Sequence, residues 1–99
     1  MAKNDMRPVH PGEVLREGYL VPLGLSAAAL AKALAVTPAR INDIVRERRG
    51  ITADTALRLG RYFGTDPQSW MNLQAIYDLR VAENEAGERI KREVAQRVD

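Results

Sequence analysis

Four times between Ser26 and Asp66 a short hydroxyl or carboxylate side chain stands directly ahead of a helix-forming run. Ser26 precedes "AAALAKAL", Thr37 precedes "PARINDIV", Thr52 precedes "ADTALRLGRYF" and Asp66 precedes "PQSW". Such side chains accept hydrogen bonds from the free amides of a first helical turn, which makes these positions N-caps. Pro38 and Pro67 follow two of them, at the first helical position, where a missing N–H costs nothing. Starts this close together confine the chain to short helices, so the expected fold is all-α.

Apolar spacing assigns the inner faces. Pro11 and Glu13 open a first helix in "HPGEVLREGYL", which "VPLGL" ends. Leu30 and Leu34 lie one turn apart; Ile41, Ile44 and Val45 form an i, i+3, i+4 stripe; Ala56, Leu59 and Phe63 mark the next inner face. Gly50 is expected to close the helix that Thr37 starts. Trp70, Leu73, Ile76 and Tyr77 are expected to complete the core. From Arg80 the pattern thins to Ala82, Ala86, Ile90, Val94 and Val98, four apart among charges, with Gly87 as a kink or fraying point. The expected organisation is an N-terminal arm (1–9), a helical domain (10–82) and a C-terminal amphipathic helical tail (83–99), with about six helices in all.

The residue inventory argues against an enzyme. The 99 residues contain no cysteine and one histidine, and neither a Gly-rich phosphate loop nor a nucleophile elbow is present. His10 lacks partners for metal binding or base catalysis and reads as a helix-start residue. No catalytic residue, metal or cofactor is expected. No run nears the roughly 18 apolar residues of a membrane span, so a cytoplasmic protein without membrane contact is expected. The net charge is only +2, but residues 1–50 carry eight Lys/Arg against five Asp/Glu. A local basic surface steers polyanions even when the net charge is small.

That surplus gathers around "TPARINDIVRERRGIT", which holds four arginines and two acids. Two short helices joined by a tight turn, with Ala31, Val36 and Ile41 at the fifth, tenth and fifteenth positions counted from Ala27, fit a helix-turn-helix spanning about 26–47. Ala31 permits close crossing, Val36 plugs the turn, and Ile41 with Ile44 anchors the second helix. On a helical wheel Ala39, Asn42, Asp43 and Arg46 lie opposite that anchor. Asn suits adenine, Arg suits guanine, Asp can accept from cytosine N4 or hold Arg46, and Ala39 allows close groove approach. Ser26, Lys32, Thr37, Arg40, Arg48 and Arg49 are candidates for phosphate contact. A single half-site binds weakly, so a dimer on a two-fold operator is expected; three phosphates per protomer give a log–log salt slope of roughly −5.

The segments "HPGEVLREGYLVPLGLS", "LAKALAVTPARINDIV" and "RRGITADTALRLGRYFGTDPQSWMNLQAIYDL" resemble the HigA family of antitoxins, within the Cro/repressor-like (XRE) helix-turn-helix group. The match runs over about residues 7–82. The resemblance implies a five-helix lambda-repressor-like DNA-binding domain, dimerisation, binding of the antitoxin's own promoter and neutralisation of a HigB toxin, a RelE-like ribosome-dependent mRNA endoribonuclease. Two departures stand out: Ala27 occupies the position of a phosphate-contacting glutamine, and Ala35 that of the usual turn glycine. A stand-alone regulator without a toxin, and a protein-interaction module with the helix-turn-helix as scaffold, are the alternatives. For self-association, Trp70, Leu79, Ile90 and Val94 offer apolar area beyond a small core. Dimer contact, toxin contact and a solvated helix all remain open for the tail.

Overall fold

The computed structural model describes residues 7–98; positions 1–6 of the expected arm, and Asp99, lie outside them. The described residues form five helices and no strand: α1 (Pro11–Leu23), α2 (Ala27–Leu34), α3 (Pro38–Val45), α4 (Ala53–Phe63) and α5 (Pro67–Glu93). Every expected cap is made. Ser26 Oγ accepts from the Ala29 amide at 3.0 Å, Thr37 Oγ1 from Arg40 at 3.2 Å, Thr52 Oγ1 from Thr55 at 3.4 Å and Asp66 Oδ1 from Gln68 at 3.0 Å. His10 is the fifth cap, its Nδ1 accepting from the Gly12 amide at 2.8 Å.

The ends of α1 to α4 share one device as well, a residue in the left-handed region with the amide of the next residue folded back onto the last turn. Gly24 (φ 62°) and Gly64 (φ 71°) fill that position after α1 and α4. After α2 it is Ala35 (φ 58°), and the Val36 amide donates to Ala31 O at 3.0 Å. After α3 it is Glu47 (φ 63°), with the Arg48 amide donating to Asp43 O at 2.8 Å. Gly50 therefore does not close α3, contrary to expectation. Its lack of a side chain serves packing: a Cβ there would stand 2.8 Å from Gln74 Oε1, which accepts the Ile51 amide at 2.6 Å.

α1 widens to a π turn over Arg16–Leu20. The widening falls just before Pro22, whose ring cannot donate and crowds the carbonyl four residues back. Leu15, Leu30, Ala31, Ile41, Ile44 and Leu59 are fully buried in the centre, with Val36, Phe63 and Leu73 packed against them. Each large aliphatic side chain buried in this way contributes about 2 kcal/mol.

Two expectations for the C-terminal half are corrected. Trp70 is 1% exposed, its indole donating to Thr65 Oγ1 at 2.9 Å and its ring 5.3 Å from that of Tyr19; it is core and offers nothing to a second chain. Residues 83–93 are no separate helix: α5 runs unbroken through Gly87 and stops at Glu93, where Val94 turns extended (φ −117°, ψ 108°). One glycine costs about 1 kcal/mol in a helix interior, which does not interrupt this 27-residue helix.

Candidate nucleic-acid interface

α3 is gripped from both sides. The N-terminus of α1 comes so close that Gly12 leaves no room for a Cβ beside Ile44 O. From the same helix Arg16 donates to Val45 O, capping the end of α3, and pairs with Glu47 at 3.3 Å. On the other side Arg58 of α4 donates to Leu34 O at 2.9 Å and Ala35 O at 3.4 Å, closing the end of α2. Asp54 lies between Arg58 (2.6 Å) and Arg40 of α3 (3.2 Å). Those arginines, Arg58 first, hold the Asp54 carboxyl below its usual range.

With Ile41, Ile44 and Val45 turned inward, the opposite face of α3 presents Ala39 and Arg46 exposed and Asn42 and Asp43 half-buried. These are the four side chains expected to read bases, and the fold brings them together on one outward strip. Asp43 pairs with Arg49 at 3.5 Å and not with Arg46 three residues on, because the backbone reversal at Glu47 carries Arg49 back over α3.

The phosphate candidates divide. Lys32, Arg48 and Arg49 are exposed. Ser26 and Thr37 use hydroxyl lone pairs as caps, which leaves each O–H free to donate to an anion. Arg40 is half-buried, its guanidinium on Asp54 and, at 3.5 Å, on Thr55 Oγ1. Arg16, Arg58 and Gln74 were not singled out in the sequence. The i,i+4 spacing of Asp54 and Arg58 is the one local signal available; Arg16 and Gln74 act across long stretches of chain.

His10 is buried at the start of α1, edge-on to Tyr77 of α5 with ring centroids 4.8 Å apart. Burial pushes its pKa below the usual histidine value. Further along α5, Ile76, Leu79 and Ile90 are 53%, 61% and 48% exposed, and Val94 beyond the helix end is 64% exposed. At 100° per residue Ile76, Leu79, Ala86 and Ile90 fall within about 80° of one another, so Ile76 belongs to an exposed stripe and does not complete the core.

A helix-turn-helix family model matches residues 15–70. Virulence-associated protein I of Dichelobacter nodosus is 70% identical over 83 residues, 84% of this chain and 77% of that protein. Antitoxin HigA-1 of Vibrio cholerae is 33% identical over 92% of this chain and 86% of its own length. Among solved structures, Pseudomonas aeruginosa antitoxin HigA with the higBA promoter is similar at a TM-score of 0.91 and 52% identity, covering 93% of this chain and all of that one.

Proposed function

Because this chain belongs to the helix-turn-helix family and, within it, to the HigA antitoxins, we propose that it binds operator DNA upstream of its own gene, represses that operon and neutralises a HigB-type toxin. The observation that carries the DNA half is the strip of Ala39, Asn42, Asp43 and Arg46 on a helix whose other face is locked into the core. α3 enters the major groove with this strip toward the base edges, while Ser26, Thr37, Lys32, Arg48 and Arg49 meet the flanking backbone. Binding of this kind places the working protein in the cytoplasm with its DNA. Electrophoretic shift of a duplex from upstream of the gene, against a scrambled duplex of equal length, tests it; equal affinity for both contradicts it.

The protein works as a dimer through the α5 stripe of Ile76, Leu79 and Ile90, which supplies the exposed apolar area that Trp70 does not. Leu79→Glu buries an unpaired charge in that interface and gives a monomer in sedimentation; a variant that still sediments as wild type refutes the surface. The toxin half rests on family membership. Co-expression with the product of the neighbouring gene yields a stable complex and abolishes its mRNA cleavage, and failure of both leaves a regulator without a toxin.

A further inference from the structure

A cavity of about 170 Å³ opens beside α3, lined by Arg40, Arg49, Gly50, Thr52, Asp54 and Thr55. Two arginines line it from separate elements, Arg40 from the recognition helix and Arg49 from the loop that follows. In the isolated protein each is held by a carboxylate, Arg40 by Asp54 at 3.2 Å and Arg49 by Asp43 at 3.5 Å. We infer that this cavity seats a backbone phosphate of the bound duplex and that Asp54 is its resident counter-charge, which yields Arg40 to the incoming phosphate. The inference rests on the DNA-binding reading above and deepens it.

The distances say which partner moves. Asp54 lies 2.6 Å from Arg58 but 3.2 Å from Arg40, and Arg58 is itself fixed to the Leu34 carbonyl. When Arg40 leaves, Asp54 keeps a partner and α2 keeps its cap. Arg40 exchanges one exposed carboxylate for a phosphate that a planar guanidinium grips with two parallel bonds. An exposed pair of this sort is weak, so the exchange is open to it. Until then Asp54 cancels one of the two positive charges of the seat and lowers its attraction for any duplex, whatever the sequence.

The test is the salt dependence of binding by Asp54→Asn, on the operator duplex and on an unrelated one. The variant binds both about threefold more tightly, the order expected for releasing one exposed pair. Its log–log slope matches that of the wild type, whose Arg40 already neutralises the same phosphate once bound, whereas Arg40→Ala lowers the slope by about 0.9. In an Arg40→Ala background the same substitution no longer tightens binding. Weaker binding makes Asp54 a structural clamp on Arg58 and overturns the inference, as does an unchanged affinity. A wild type that fails to bind its upstream duplex removes the DNA-binding reading itself. Should Asp54→Asn not fold, the Arg40 Nε–H resonance of the wild type decides: it shifts on addition of an unrelated duplex, and a signal that stays in place is contrary to the exchange.

Discussion

Gly12 lies so close beneath Ile44 that a Cβ on it would stand 1.8 Å from the Ile44 carbonyl oxygen. The first turn of α1 thus rests on the backbone of the recognition helix, and the height of α3 above the core is set by the absence of one methyl group. Backbone cannot step aside as a flexible side chain can. Gly12→Ala should cost about 2–3 kcal/mol of overpacking, read as a lower urea midpoint with an unchanged m-value. A variant as stable as wild type contradicts this contact.

Ala35 predicts the opposite sign. It holds φ 58° at the end of α2, a conformation that costs an L-residue with a Cβ about 1 kcal/mol relative to glycine. Ala35→Gly should therefore stabilise the domain, but by only about 0.5 kcal/mol once the larger unfolded-state entropy of glycine is subtracted. Urea denaturation of the two proteins side by side checks it, and a destabilised variant refutes the strain.

His10 makes stability depend on pH. Its folded pKa is depressed below the ordinary 6.5, chiefly by burial, so the unfolded chain takes up the proton first. The contribution of neutral His10 is complete above about pH 6.5 and is lost as the pH falls through the folded value. Protonation also removes the Nδ1 lone pair that caps α1. Thermal denaturation should show a fall in Tm from pH 7 to pH 5, a window above the ordinary carboxylate range. His10→Asn, which keeps a capping oxygen, should flatten the profile in that window; an equally sloped profile in the variant assigns the loss to another group.

Local rules were legible and long-range ones were not. The caps at Ser26, Thr37, Thr52 and Asp66 follow from side chains acting on amides two or three residues away. The inward positions of Ala31, Ile41 and Ile44 follow from helical period. Gly50 misled because a glycine after a helix usually supplies a positive φ, whereas this one makes room for Gln74, twenty-four positions on. Trp70 fits its expected place in the core and not the self-association reading, because a large apolar residue on an amphipathic helix reads alike whether it faces its own core or a second chain. The unbroken α5 was missed because the helix continues past the body of the domain, where no inward stripe marks it. The outward placement of Asn42, Asp43 and Arg46 on α3 follows from the wheel, but the Asp43–Arg49 pair depends on the chain reversal at Glu47, which a wheel does not contain.

The account centres on α3 as a reader of base sequence, with Arg46 on its reading strip and Arg49 at its flank. The most direct measurement is the affinity of wild type, Arg46→Ala and Arg49→Ala for the upstream duplex and a scrambled one across a salt series. Arg46→Ala should lose about 1–3 kcal/mol of discrimination between the duplexes, while Arg49→Ala should weaken both alike and reduce the slope by about one unit. If both variants discriminate and bind as wild type does, α3 is not the reading surface and the account is wrong.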